Sequence, residues 1–401
     1  MIRDDARELD LVAWGATGYT GRLLAAALAE AAPPGLRWAL GGRDAERLER
    51  LRDALGLDVA LEVGDARDPQ AMARLAARTR VVASTAGPYA RHGSDLVAAC
   101  AAAGTHYADL TGEVVWMRRM IDAHNDAATA SGAKVVHACG FESVPSDLGL
   151  WWLQRVAVER HGRPCGSVVH GFGPMAGGVS GGTVASGMDL AGEALPDPAV
   201  RRLLADPDAL APGAAPSAAV RRGAWPRWER DLGGWTAPFF MARVNGAVLR
   251  RTRALLGEPW GAGFRYHECW HARGWAEAAA VGLGSTLGPA LLSVGPLRRW
   301  VGRWLPRPGE GPSAEARARG YFRTTLVGRV DGVDAPVVVR ISCDLDPGYG
   351  ATALMLREAA LSLASDDLAR GGGVLTPAAA FGDRLVARLR RAGIRFDVEG
   401  A

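Results

Sequence analysis

Leu9-Asp-Leu-Val-Ala-Trp14 runs directly into Gly15-Ala16-Thr17-Gly18-Tyr19-Thr20-Gly21, and the chain continues as RLLAAALAEAA over 22–32. The first run reads as a buried strand and the last as a helix. Glycine is needed where the chain turns sharply, where backbone nears a pyrophosphate, and where a helix packs on a strand. The helix N-terminus then offers N–H donors to phosphate. Strand, glycine loop and helix in this order predict the first βαβ turn of a dinucleotide-binding domain, and all seven residues from Gly15 to Gly21 are candidate cofactor contacts. The G-x-x-G-x-x-G spacing differs from the G-x-G-x-x-G form of most NAD dehydrogenases.

Working outward, strands are expected at Leu9–Trp14, Arg37–Gly41, Val59–Val63, Val81–Thr85, His106–Asp109 and Lys134–Ala138. Helices are expected between them at Gly21–Ala31, Ala45–Leu55, Pro69–Ala77, Ser94–Ala103 and Glu113–Ser131. This alternation predicts an α/β fold whose N-terminal, doubly wound Rossmann domain (1–147) has a parallel sheet with its ligand crevice at the carboxyl ends of the strands. A crossover helix at Leu148–Glu159 leads to an α+β second domain (148–350) with a mostly antiparallel sheet, including strands Tyr321–Val330 and Val337–Cys343 joined by a turn at Asp331-Gly332. That domain is expected to hold the substrate and any homodimer contact. Helices at Ala351–Leu363 and Ala378–Arg391, in the tail 351–401, are expected to dock back on the first domain.

The strand ends carry the chemistry. The second strand runs into Gly41-Gly42-Arg43, where an NAD enzyme would place an acid for the ribose 2′-hydroxyl. A guanidinium there suits a 2′-phosphate, so NADP(H) is expected over NAD(H), with Asp44 as the following helix's N-cap. Asp65 follows the third strand and either accepts from the adenine amino group or caps a turn. Ala86-Gly87-Pro88-Tyr89 lies where the nicotinamide ribose would sit, with Tyr89 either packing or donating a proton. Asp109 ends the fifth strand; Glu113 reads as a helix start. Cys139-Gly-Phe-Glu142-Ser-Val-Pro-Ser-Asp147 brings two carboxylates to the domain junction, Asp147 as the expected cap and Glu142 as the better substrate contact. Tyr89, Asp109 and Glu142 are thus the candidate catalytic residues. Tyr266-His-Glu-Cys-Trp-His271 lacks a third placed ligand, so no metal is expected, and the segment reads as a pocket wall or surface helix.

Bulk properties limit the alternatives. With 401 residues, 48% of them hydrophobic, the chain can fill about two cores. Its +4 charge is almost all arginine, Lys134 being the sole lysine, and no basic run interleaved with aromatics points to nucleic acid. Five scattered cysteines without a C-x-x-C pair, and a charged start (MIRDDARELD), predict a cytoplasmic protein. Ala278–Leu297 is uncharged but broken by four glycines and two prolines; it is expected to line an apolar pocket, with peripheral membrane or lipid contact as the alternative to spanning.

Gly15–Gly21, Gly42-Arg43, Gly87–Tyr89, Tyr107–Asp109 with Gly112-Glu113, Cys139–Asp147 and the late Gly371–Asp383 stretch together resemble the saccharopine dehydrogenase-like oxidoreductases, most of all their trans-acting enoyl reductases. The resemblance implies NADPH-dependent hydride transfer to an α,β-unsaturated acyl chain, free or carrier-bound, made by a partner polyketide synthase lacking its own reductase, in lipid or natural-product biosynthesis. Two other readings stay open: a dehydrogenase or imine reductase acting on a small amino-acid-type substrate, and a non-catalytic dinucleotide-binding protein working at a lipid surface. Trp14 is bulkier than the side chain expected before such a loop.

Overall fold

The computed structural model describes residues 7–177, 197–213, 226–293 and 311–400. In chain order its first half comprises β1 (Leu9–Trp14), α1 (Tyr19–Ala31), β2 (Trp38–Gly42), α2 (Ala45–Ala54), β3 (Ala60–Val63), α3 (Pro69–Arg78) and β4 (Thr79–Ser84). There follow α4 (Tyr89–His92), α5 (Ser94–Ala103), β5 (His106–Asp109), α6 (Val114–Ser131), β6 (Lys134–Val136) and α7 (Val144–His161). All six residues of β1 are buried, as a strand covered on both faces requires. Asp68 caps α3 through the amides of Gln70 and Ala71, with Pro69 in the first turn, while Gly104, Gly132 and Gly162 close α5, α6 and α7 in left-handed conformations.

The remaining elements are β7 (Ser167–Ala176), α8 (Pro198–Ala205), β8 (Arg227–Glu229), β9 (Gly234–Pro238), α9 (Ala242–Leu255), β10 (Arg265–Ala272) and α10 (Trp275–Ser293). After these come α11 (Ala314–Ala318), β11 (Tyr321–Arg329), β12 (Val337–Cys343), α12 (Gly350–Ser365), β13 (Gly373–Leu375), α13 (Pro377–Phe381), α14 (Asp383–Arg391) and β14 (Arg395–Val398). Sheet A, ordered β13-β6-β5-β4-β1-β2-β3, is parallel throughout. Sheet B, ordered β14-β12-β11-β7-β10-β9-β8, is antiparallel except where β7 meets β10. The chain is an α/β protein of the expected two architectures.

The differences from expectation are local and physical. Sheet A has a seventh strand, β13, drawn from the tail, and β14 joins sheet B, so the tail stitches both sheets. Helix α12 lies along α1 and across β1, β4 and β5. The last expected helix breaks into α13 and α14 at Gly382, where φ is +50°. β6 stops at Val136 because Ala138 takes a positive φ of 60°, with its N–H given to Asp109 Oδ1. α7 begins at Val144, four residues early, so Ser143 is its N-cap residue and Asp147 lies inside its first turn rather than capping it. The Tyr266–His271 segment is strand β10, not a surface helix. Trp14 is accommodated by its in-register neighbour on β2: a Cβ at Gly41 would stand 2.5 Å from the indole.

Of the apolar stretch after Ala278, the described part is helix α10, which packs on β9 and β10 with Ala278 buried while Leu283 stays exposed. The residues from 294 to 297 lie outside the described residues. No helix among the described residues is long and apolar enough to cross a membrane.

Candidate active site

The glycine loop joins β1 to α1 with no spare volume. Gly15 has φ of +81°, and a Cβ there would lie 2.9 Å from the Ala86 nitrogen; a Cβ at Gly21 would lie 2.1 Å from the Gly15 carbonyl oxygen. Helix α1 starts at a Gly18 cap without a side-chain hydrogen bond and has no acid in its first turn. Its leading N–H groups and positive dipole end are left for an anion. The loop is braced from behind by β2, since Gly15 N–H and Ala16 N–H both donate to the Gly41 carbonyl, at 2.9 and 3.0 Å. Thr85 Oγ1 donates to the Trp14 and Gly15 carbonyls, at 3.1 and 3.2 Å, and so places Ala86-Gly87-Pro88 as the second wall of the crevice. A cradle that any side chain would fill, beside an uncapped helix start, fits a dinucleotide pyrophosphate.

Arginines cluster around the ends of β2 and β3. Arg43 is exposed just beyond β2, and Asp44 caps α2 by accepting from Arg47 N–H at 3.1 Å, leaving the guanidinium to face solvent. Arg22 and Arg47 both donate to the Thr17 carbonyl, at 3.1 and 3.3 Å. Asp65 accepts from the Arg67 backbone N–H and pairs with its guanidinium at 3.0 Å, which pulls the carboxyl down to about 2. It therefore serves its turn as an anion. Burial, with the charges of Arg67, Arg43 and Arg91, holds the nearby His92 imidazole below its ordinary range.

The three candidate acids have different surroundings. Tyr89 is buried and stacks on Trp116 at 5.5 Å; its hydroxyl donates to the Ser84 carbonyl at 3.0 Å and accepts from Leu110 N–H at 3.2 Å. Burial first, then the Asp109 charge, holds the phenol well above its usual range. Asp109 is fully buried: Oδ1 accepts from Thr111 N–H and Ala138 N–H, both at 3.1 Å, and Oδ2 meets His137 Nδ1 at 2.7 Å. These two groups fasten the ends of β4, β5 and β6 together. Glu142, by contrast, is only partly buried, with Oε1 accepting from Gly140 N–H at 2.9 Å. Burial pushes its carboxyl up to about 8, so it carries a proton at neutral pH. Glu113, expected only to begin a helix, also caps α4: its two oxygens accept from Tyr89 N–H and Ala90 N–H at 2.9 and 2.8 Å.

Sequence reasoning missed a buried polar seam that registers the two sheets around α7. Asp147 accepts from Thr252 Oγ1 at 2.5 Å and Ala378 N–H at 2.7 Å. Glu268 accepts from Ser146, Tyr266 and Asn245, at 2.9, 2.6 and 2.7 Å, and Asn245 accepts in turn from Ser143. Burial raises both carboxyls to about 7, the hydrogen bonds opposing it. The one sequence signal was Glu268 standing two residues from Tyr266 on a strand, hence on the same face, among apolar neighbours.

A family model described as the saccharopine dehydrogenase NADP binding domain matches residues 11–136, the span of the glycine loop, Arg43 and the second wall. The trans-acting enoyl reductase of Mycobacterium tuberculosis is 40% identical to this chain, and that of Mycobacterium leprae 39%, each over 97% of both proteins. The chain belongs to the saccharopine dehydrogenase-like oxidoreductases, in their trans-acting enoyl reductase group. Another Mycobacterium tuberculosis protein, provisionally assigned the same activity, is 43% identical over 97% of both proteins. Saccharopine dehydrogenase (L-Glu forming) from Saccharomyces cerevisiae shares the fold, with a TM-score of 0.51 at 13% identity over 97% of this chain and 98% of its own. The group's cofactor is NADP(H), and the crevice described above is built for it.

Proposed function

We propose that this oxidoreductase is an NADPH-dependent enoyl reductase that saturates the α,β double bond of an acyl chain delivered by a polyketide synthase. The observation that carries the reading is Glu142, a partly exposed carboxyl that keeps its proton near neutrality, in the loop that follows β6 at the carboxyl edge of sheet A. The names of the relatives, which span essentially the whole chain, support the same chemistry. Bound NADPH supplies the hydride, which adds to the β-carbon.

The chain's own residues do the rest. The Gly15–Gly21 cradle and the Ala86–Pro88 wall fix the dinucleotide, and Arg43 holds its 2′-phosphate. Glu142 donates its proton to the α-carbon of the enolate, ending as a carboxylate that solvent reprotonates. Tyr89 and Asp109 act by positioning: each ties a strand end to the loop that carries Glu142 or borders it. The double bond would gain the hydride supplied by the nicotinamide and the proton supplied by Glu142, which balances the reduction.

Incubation with NADPH and trans-2-enoyl thioesters of increasing chain length tests the proposal. Stoichiometric loss of NADPH absorbance with a saturated thioester two mass units heavier is the expected result. NADPH left unconsumed across all chain lengths, on phosphopantetheine and on coenzyme A carriers alike, contradicts it.

A further inference from the structure

His137 is where the candidate site meets the buried seam. It follows directly on β6, and its side chain is only 4% exposed. Nδ1 meets Asp109 Oδ2 at 2.7 Å, while Oδ1 accepts from the Thr111 and Ala138 N–H groups. The carboxylate is thus the acceptor throughout, and Nδ1 carries the hydrogen. Trp116 holds the ring edge-on with centroids 5.0 Å apart, and Tyr107 does the same at 6.0 Å. Nε2 is buried as well, and no partner for it exists among the described residues. A buried ring nitrogen in that position bears the full cost of its lost hydration.

His137 borders a cavity of about 10 Å³, together with Thr376, Arg251 and the apolar Met117, Leu210 and Val248. With Nδ1 turned to Asp109, Nε2 is the polar end left to face it. The space suits one water molecule and nothing larger. Each of the other two polar residues has one hydrogen-bonding capacity to spare. Thr252 gives its single hydroxyl hydrogen to Asp147 Oδ1, so across the 2.6 Å contact between the two threonine hydroxyls it is Thr376 that donates. Thr376 Oγ1 therefore keeps a lone pair for another donor. It stands at the N-cap of α13 without capping it, its hydroxyl being turned to Thr252 instead. Arg251, buried on α9, places Nε on the Val374 carbonyl at 3.2 Å, Nη1 on the Leu210 carbonyl at 2.8 Å, and Nη2 on Val374 and Asn125. One N–H on Nη1 is left over. Two acceptors and one donor thus line the same small space. Water satisfies all three, whereas an apolar guest would meet none and an anion would face two lone pairs.

We propose that one buried water occupies this cavity, donating to His137 Nε2 and Thr376 Oγ1 and accepting from Arg251 Nη1, and that His137 is thereby a positioning residue for Glu142. The water closes a single hydrogen-bond chain that runs from Asp147 through Thr252 and Thr376 to His137 and Asp109. At the far end Asp109 accepts Ala138 N–H at Oδ1 and Cys139 N–H at its carbonyl, at 3.1 and 2.7 Å. These are the two amides just before Gly140, whose N–H holds Glu142. The tail residue Thr376 in this way sets the loop that carries the proton donor. The role toward Glu142 rests on the enoyl reductase reading; the water itself does not.

Two measurements on the full chain separate these parts. With ¹⁵N-histidine, the His137 resonances are assigned by their loss in His137→Asn. The parent spectrum is expected to show the hydrogen on Nδ1, with Nε2 displaced from the position of a free imine-type nitrogen by the hydrogen bond it accepts. Thr376→Val removes the hydroxyl at nearly constant volume; it should move Nε2 toward the free position and leave Nδ1 alone, and Thr376→Ser should restore the parent spectrum. A parent whose Nε2 carries the hydrogen, or an Nε2 resonance that Thr376→Val does not move, overturns the proposal. In turnover of NADPH with a trans-2-enoyl thioester, Thr376→Val is expected to lower kcat about fivefold, as loss of one net hydrogen bond does. KM for NADPH should stay within twofold, with kcat recovered in Thr376→Ser. An unchanged kcat, or a fall in kcat accompanied by an equal rise in KM for NADPH, overturns the positioning role. A parent without reductase activity strikes the enoyl reductase reading and the role toward Glu142 with it, while the nitrogen resonances still decide the water.

Discussion

Gly21→Ala is expected to lose more than 100-fold in NADPH affinity while the protein stays folded. The added methyl carbon would sit 2.1 Å from the Gly15 carbonyl oxygen and 2.8 Å from Ala16 Cα, both backbone atoms that no rotamer change can move. Relief requires the loop to lift from α1, and the loop is pinned from behind by two hydrogen bonds to Gly41 and by Thr85. Lifting breaks those bonds or swings the leading N–H groups of α1 off the phosphate. Each bond given up costs about 1 kcal/mol, and each misaimed bond to a charged phosphate about 1.5–3 kcal/mol. Two misaimed phosphate bonds, about 3 kcal/mol or more together, exceed the factor of 100 that the titration would read. A circular dichroism melt that keeps one cooperative transition shows that the variant is folded when its affinity is read. Undiminished NADPH affinity in this variant would mean that the cofactor lies elsewhere.

The second large effect is on turnover. Glu142→Gln removes the proposed proton donor without changing the size of the side chain, and kcat is expected to fall by about 10² to 10⁴, the range general acids contribute. The pH profile gives the sign. An acid works in its protonated form, and burial has moved this carboxyl up to about 8, so kcat is flat below that value and declines above it. The limb should vanish in Glu142→Gln, whatever activity remains. The same group also links pH to stability in the opposite way from an ordinary ion-paired carboxylate. Its folded pKa lies above the unfolded 4.5, so the native state binds the extra proton; this favourable contribution is complete below about 4.5 and is lost as pH rises through about 8. A thermal melt series from pH 5 to 9 should therefore slope downward less steeply in the variant. A tenfold or smaller drop in kcat, with the alkaline limb retained, would assign the proton to another group.

Much of the Rossmann half was legible because its determinants are local. A glycine with positive φ, a Pro-Gln-Ala first turn behind Asp68, and the six apolar residues of β1 each state their conformation within a few positions. Arg43 was readable for the same reason, its place following from the end of β2. The misreadings involve partners far away in sequence. β13 is three residues, Gly373–Leu375, too short to announce itself until β6 offers an edge to pair with. The Tyr266–His271 run was read as a pocket wall or surface helix because its six residues fit more than one pattern, and only pairing with β7 and β9 makes it a strand. Glu142 was singled out for its place, but its protonation is a property of burial that a sequence does not carry. Tyr89 illustrates the converse: a residue type suited to proton donation whose hydroxyl is already spent on Ser84 and Leu110.

The most direct test of the central claim follows the two hydrogens separately. With NADPH deuterated at the transferable C4 position and a trans-2-enoyl thioester in ordinary water, the product should be the saturated thioester with one deuterium at its β-carbon. In deuterated water with unlabelled NADPH the label should move to the α-carbon, and Glu142→Gln should slow both reactions alike. Deuterium found on a carbonyl or imine carbon, with the double bond intact, would contradict the account.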